Sequence, residues 1–192
     1  MLSRRTLNIV VVLSGLMMIG AAPALGGLAA SATISDTQNG SNYNYTMALT
    51  NTGTTGIGTF WFAWTPPGDP IEYDFLPSLP TPTGEPAGWV GPASPGFPGN
   101  SIEYYNLSGS AIAPDQIGTF SFTSPDSPAV LKGTSFGFPI TTSFIYGGLP
   151  EVGSFAQVSP VAFVVPEPSS IALLAIGSAA LLGRRRNPRT VG

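Results

Sequence analysis

The chain has 192 residues, with 24 Gly, 20 Pro, 11 Phe and 3 Trp, and no His or Cys. Without imidazole or thiol it can hold no Ser-His-Asp or Cys-His triad, no zinc site built on those groups and no disulfide framework, so any fold stands on a hydrophobic core. Charged residues make up 9% of the chain, against roughly 25% in an average soluble domain. They are also segregated. Arg4, Arg5, Arg184, Arg185, Arg186 and Arg189 lie at the two ends, while nine of the ten acids lie between Asp36 and Glu151. A middle whose one cation is Lys132 repels a phosphate backbone, so no nucleic-acid partner is expected.

In chain order, residues 1–8 are short and basic, residues 9–22 are almost wholly apolar, and Ala22-Pro23-Ala24 and Ala30-Ser31-Ala32 both offer a small-residue cleavage pattern. That is the layout of a secretory signal peptide read by a translocon and cut by signal peptidase. The alternative is an uncleaved anchor. Cleavage is expected after Ala30 or Ala32, giving a leader of 1–32, because a strand-like pattern begins there. Arg4-Arg5 within Ser-Arg-Arg-Thr-Leu also resembles a twin-arginine signal, so Sec and twin-arginine export both stay open.

Residues 33–165 are about 130 residues, one domain's worth. No helical period is sustained in them. Residues 33–37 and 43–50 flank Asn39-Gly40, a strong hairpin signal. In the second of these segments Tyr43, Tyr45, Met47 and Leu49 alternate with polar or small residues, giving one buried and one wet face. Residues 51–58 read as a turn. Residues 59–64, Thr-Phe-Trp-Phe-Ala-Trp, read as one central strand buried on both faces, with Trp61 and Trp64 on opposite sides. Residues 65–99 contain ten Pro and six Gly and read as a long loop. Further strands are expected at 101–107, 118–123, 135–138, 141–146 and 155–165. Seven or eight short strands with turn residues between them predict an all-β fold, a single antiparallel sandwich. A signal helix and a C-terminal transmembrane helix are expected to flank it. The run Tyr-Thr-Met-Ala-Leu-Thr-Asn-Thr-Gly at 45–53, followed by Ala-Pro-Asp-Gln-Ile-Gly-Thr-Phe-Ser-Phe at 113–122, resembles the immunoglobulin-like modules of bacterial surface proteins.

Candidate chemistry in the middle is sparse. Gly133-Thr134-Ser135-Phe136-Gly137 matches a nucleophile elbow, but with no His in the chain it reads as strand and turn. Asp69, Glu72 and Asp74 supply hard oxygens that could hold calcium, or simply form a solvated acidic loop. A pair of carboxylates could in principle serve a glycosidase, yet nothing marks a pair; no catalytic residue and no cofactor are expected. Among the aromatics, Trp89 in the Pro-rich loop and Tyr104 on the strand after it are candidates for stacking on sugar rings, with core packing as the alternative.

The C-terminus is the most specific part. Val165-Pro166-Glu167-Pro168 precedes fifteen uncharged residues, 169–183, and then Arg184-Arg185-Arg186. As a helix those fifteen residues span about 22 Å, shorter than a hydrocarbon core of roughly 30 Å. The arginines act as a stop-transfer cluster on the cytoplasmic side. A core helix, a permanent anchor and a temporary anchor are the possible roles, and a core helix beside a terminal triple Arg fits worst. The tripartite segment 166–187 resembles the PEP-CTERM sorting domain, carried by Pro166, Glu167 and Pro168, the Leu/Ala/Gly-rich stretch, and Arg184, Arg185 and Arg186. Residues 188–192 form a short cytoplasmic tail. The resemblance implies an exosortase substrate of an exopolysaccharide-producing Gram-negative bacterium, cleaved near Pro166–Pro168 after a transient stay in the inner membrane. The protein would then be delivered to the cell surface or biofilm matrix in a structural or adhesive role, or as a glycan-binding module for the matrix polysaccharide.

Overall fold

A computed structural model describes residues 27–66, 72–158 and 160–164. The strands are β1 (Ala30–Asn39), β2 (Asn42–Asn51), β3 (Thr59–Phe62), β4 (Trp64–Thr65), β5 (Tyr73–Asp74), β6 (Thr81–Gly84), β7 (Trp89–Val90), β8 (Ala93–Pro95), β9 (Asn100–Asn106), β10 (Ile117–Ser124), β11 (Thr134–Ser135), β12 (Phe138–Pro139), β13 (Ser143–Tyr146), β14 (Phe155–Val158) and β15 (Ala162–Phe163). One short helix, α1 (Pro128–Leu131), precedes β11. Its start is set locally: Ser127 Oγ accepts the Val130 N–H at 3.4 Å, and Pro128 has no N–H to leave unpaired.

Two sheets face each other. The first runs β15-β1-β2-β10-β6, the second β14-β13-β3-β9-β7, with β8 also paired to β9. The period of two in β2 and β10 puts Tyr45, Met47, Leu49, Phe120 and Phe122 on the inner face. Phe60, Phe62, Ile102, Tyr104 and Ile145 of the second sheet join them in one core. The contact is aromatic: Phe120 lies 5.4 Å from Phe60, 4.6 Å from Tyr104 and 5.3 Å from Trp89 between ring centroids. Burial of each such ring contributes roughly 1.5–3 kcal/mol.

Asn51 closes the edge of this core. It is fully buried, and its Nδ2 donates to the Ile112 carbonyl at 2.8 Å and the Thr55 carbonyl at 2.9 Å. Its Oδ1 accepts the Gly53 N–H at 3.0 Å. One side chain thereby ties the end of β2 to the segment before β10.

Several expected elements take a different form. The hairpin tip is Gly40-Ser41, one residue later than Asn39-Gly40, because Asn39 still pairs with Asn42 and Gly40 takes the positive φ of 62°. The strand expected at 59–64 breaks at Ala63, whose φ of 59° twists the chain out of the pleat. Trp61 and Trp64 therefore share a side, stacked 3.8 Å apart and 4° from parallel, on the face of the second sheet away from the main core. The Pro/Gly-rich segment 65–99 is not a plain loop, since β5, β6, β7 and β8 lie in it. Its prolines sit where a sheet tolerates them: β6, with Pro82, and β8, with Pro95, are border strands that need no donor on the outer side. The strand expected at 135–138 is a two-strand hairpin, β11–β12, turning at Phe136-Gly137. The strand expected at 155–165 divides around Pro160 and changes sheets: β14 pairs with β13, whereas β15 pairs with β1. That last pairing is parallel, so the sandwich is not wholly antiparallel.

The domain also starts earlier than residue 33. Ala30, Ser31 and Ala32 pair with Asn51, Thr50 and Leu49. The Ala29 carbonyl accepts the N–H groups of Thr52 and Gly53, both at 3.0 Å, and Leu28 packs on the core. The expected signal helix, the expected transmembrane helix at 169–183, the tail 188–192 and the stop-transfer arginines lie outside the described residues. Among the described residues no helix is long and apolar enough to cross a membrane.

Candidate functional site

The two aromatics weighed as sugar-stacking candidates, with core packing as the alternative, are inside the protein. Trp89 is 6% exposed, its Nε1 donates to the Ser110 carbonyl at 3.0 Å, and its ring meets Phe120 edge-on. Tyr104 has no exposed surface, and its hydroxyl donates to the Ser121 carbonyl at 3.3 Å. Burial raises its phenol well above the usual value. β7 is a genuine rung on β9, with Trp89 opposite Asn106, and that pairing turns the indole inward. Trp61, at 7% exposed, and Trp64 are buried as well. No tryptophan ring face is open to a glycan.

Of the three acids weighed as calcium ligands, two lie among the described residues. Asp69 lies outside the described residues, Glu72 is exposed, and Asp74 is buried. Asp74 is held under the turn at 96–99, so tightly that a Cβ at Gly96 would collide with its carboxylate. Burial raises its carboxyl above the ordinary value, and its Oδ1 is buried with no hydrogen-bond partner among the described residues. Among the described residues no three acids gather closely enough to hold a metal ion. Ser135 of the apparent nucleophile elbow sits on β11 of the hairpin, in strand and turn as its lack of a His partner required.

What the structure does bring together is a different set of rings. The β11–β12 hairpin turns through Phe136, φ 50°, and Gly137, φ 84°. Two successive positive φ values are the mark of a tight type I′ turn, whose first position normally takes Asn, Asp or Gly. A phenylalanine there costs about 1–2 kcal/mol. Phe136 is nonetheless 58% exposed, stacked on Tyr73 at 5.5 Å and edge-on to Phe97, itself 57% exposed, at 5.8 Å. Phe138 lies 6.4 Å from Tyr73 and 5.7 Å from the buried Phe75. Tyr73, Phe97, Phe136 and Phe138 thus form one aromatic patch at the hairpin. Beside it a cleft of about 220 Å³ opens between Phe75, Pro98, Thr134, Ser135 and Ile140, with two hydroxyls on its wall. Sequence reading missed this patch because its four rings come from three separate stretches of chain. The legible signal was Phe136-Gly137 between two short strand-like pairs.

A second cleft, of about 250 Å³, lies on the outer side of the second sheet and is lined by Pro66, Tyr146, Glu151, Gly153 and Phe155. Burial, then the charge of Glu151, raises the carboxyls of both Glu72 and Glu103 above the usual range. Burial and the same three carboxylates push the Tyr146 phenol up to about 12.

The remaining site is the junction between fold and tail. β15 is followed by Val164, whose N–H donates to the Ile34 carbonyl at 2.8 Å. Pro166, Glu167 and Pro168 begin two residues later, just outside the described residues.

Comparison with known proteins bears on this end of the chain. Residues 164–186 match the PEP-CTERM protein-sorting motif. The chain therefore carries a sorting signal that implies exosortase-dependent export toward the cell envelope or surface. No curated protein matches the chain. Among solved structures it is similar to a CBM3 of Hungateiclostridium clariflavum, at 10% identity and a TM-score of 0.40, over 69% of this chain and 99% of that one. It is also similar to part of a GH20 exo-β-N-acetylglucosaminidase from Vibrio harveyi, at 14% identity and a TM-score of 0.41, over 71% of this chain and 19% of that one. Both likenesses are too distant to carry an argument about ligand or activity.

Proposed function

We propose that this carrier of a PEP-CTERM sorting motif is exported by a translocon and held in the inner membrane by residues 169–183, with Arg184, Arg185 and Arg186 on the cytoplasmic side. An exosortase cuts it near Pro166-Glu167-Pro168, and the product reaches the cell surface or the extracellular polysaccharide matrix. There the sandwich serves a structural or adhesive role, and the reading is a non-catalytic one. The observation that carries it is the sorting motif itself, which begins at residue 164, the last residue of the described fold. Signal peptidase cuts after Ala24 in this reading. Cleavage after Ala30 or Ala32 would remove the first rungs of β1 and the Ala29 carbonyl that Thr52 and Gly53 share. In producing cells lacking the exosortase, the full-length chain minus its leader should accumulate in the membrane fraction. Equal release with and without the exosortase would sink the assignment.

The exposed rings favour a second reading, in which the sandwich binds the matrix polysaccharide. An aromatic side chain kept on display at a backbone position that disfavours it points to use. The surface offers Tyr73, Phe97, Phe136 and Phe138 as faces for sugar rings and the Thr134 and Ser135 hydroxyls for their polar edges. Phe136→Asn trades turn strain against a stacking contact of about 0.5–1.5 kcal/mol. Stability should accordingly stay within about 1 kcal/mol of the parent. Retention on the native matrix polysaccharide should fall by about two- to tenfold, the effect of losing one such ring contact. Unchanged retention would remove the patch from consideration.

A further inference from the structure

The aromatic patch sits in a charge environment of its own. Side chains alternate along a strand, so on β5 Tyr73 joins the patch while Asp74 turns the other way, buried under the turn at 96–99 that carries Phe97. The Asp74 N–H donates to the Phe97 carbonyl at 2.9 Å. One peptide link to Tyr73 and one hydrogen bond to Phe97 thus fix a carboxyl group behind two of the rings, with its Oδ1 unpartnered among the described residues. Glu72, on the other side of Tyr73 in the chain, is exposed. Among the described residues the one base is Lys132, and its Nζ rests over the ring of Phe163, 4.9 Å from the centroid, rather than over a ring of the patch. The described side chains on the wall of the adjoining cleft carry no charge: Phe75, Pro98 and Ile140 are apolar, and Thr134 and Ser135 offer hydroxyls.

We infer that the patch selects uncharged sugar units and turns acidic ones away, so that the ligand of the sandwich is a neutral polysaccharide rather than a polyuronate. A uronic acid stacked on Tyr73 or Phe97 brings its carboxylate toward Glu72 and Asp74. Like charges repel, and at the buried Asp74 protein rather than water surrounds the charge, which weakens the screening. The uronate also gives up hydration to a surface that offers it no cation in return. A neutral sugar meets neither cost. Its C–H faces lie on the rings, and its hydroxyls exchange hydrogen bonds with those of Thr134 and Ser135. An amino sugar gains no ion pair with Asp74, which is 3% exposed and out of reach of a ligand. The inference rests on the polysaccharide reading above for the existence of the site and adds the class of sugar that the site takes.

The test divides the native matrix polysaccharide by ion exchange into neutral, acidic and basic fractions and immobilises each. Parent protein recovered from the surface of producing cells is passed over them beside Phe136→Asn and Phe97→Ala, whose urea transitions report that they are folded. A chelator keeps divalent ions from bridging carboxylates. The readout is the part of the retention that the ring substitutions remove, in which any attraction by arginines elsewhere in the chain cancels. At about 10 mM salt that part should be about fivefold or more larger on the neutral than on the acidic fraction, as one close like-charge pair in water gives. At about 1 M salt, where the screening length falls from roughly 30 Å to roughly 3 Å, the gap should narrow while retention on the neutral fraction holds. Ring-dependent retention as large on the acidic or the basic fraction, or a gap that salt leaves unchanged, would overturn the inference and leave the site standing. Retention on no fraction, or retention that neither substitution lowers, would remove the site itself and the inference with it.

Discussion

Phe120→Ala is expected to cost about 3–5 kcal/mol of unfolding free energy, the largest loss from any single truncation in the core. Phe120 is fully buried on β10 and stands at the meeting point of the two sheets, with Phe60, Tyr104 and Trp89 around it. Removing the ring takes contact area from three other rings on two other strands and on β7. The inner faces are held apart by the remaining aromatics, so the site cannot collapse onto the void. Domains of this size are stable by about 5–15 kcal/mol, and the variant should keep a cooperative urea transition at a much lower midpoint. A loss below about 1 kcal/mol would mean that the core repacks freely and that the sandwich does not depend on aromatic interdigitation.

Asn51→Asp should be nearly as damaging, by about 3 kcal/mol or more at neutral pH, for an electrostatic reason. The amide nitrogen donates to two carbonyls, Ile112 and Thr55. A carboxylate there presents oxygen to oxygen and carries a charge in a buried position, and losing the donor to the buried Ile112 carbonyl alone costs about 1–3 kcal/mol. The sign with pH follows. Burial and the facing carbonyls raise the introduced carboxyl above its unfolded value, so its penalty is smallest in acid and grows as pH rises through that range. Urea titrations of parent and variant at two pH values measure the difference. Equal differences at both would show that the carboxylate is solvated and that Asn51 is not the closed tie described here.

Much of this architecture was legible where one face is wet and the other dry. The alternation in β2 and the Phe120–Phe122 spacing in β10 identified core strands, because register on a half-buried sheet leaves one residue in two facing inward. Asn39-Gly40 located the first hairpin to within a residue. The failures share a cause, which is that pattern reading assumes a regular backbone. Ala63 leaves the strand region between Trp61 and Trp64, and two rings expected on opposite faces stack on one. Proline counts made 65–99 look like loop, since composition does not reveal that β6 and β8 border their sheets. Trp89 looked exposed for the same reason, although its rung on β9 fixes it inward. The aromatic patch was invisible because Tyr73, Phe97 and the Phe136–Phe138 hairpin meet only in three dimensions. The tail differs in kind. A sorting signal is read by a translocation and processing machinery as linear sequence, so order and spacing of Pro166-Glu167-Pro168, the apolar stretch and the arginines were enough to recognise it, and the family match at 164–186 agrees.

The central claim is that both termini are addresses and the sandwich is what is delivered. Its most direct test is the intact mass of the protein recovered from the surface of producing cells, resolved to both ends. The account predicts a chain that starts at Leu25 and ends within residues 165–168. A chain that still ends at Gly192 would contradict it, because the tail would then be a permanent anchor and the sandwich a membrane-tethered domain.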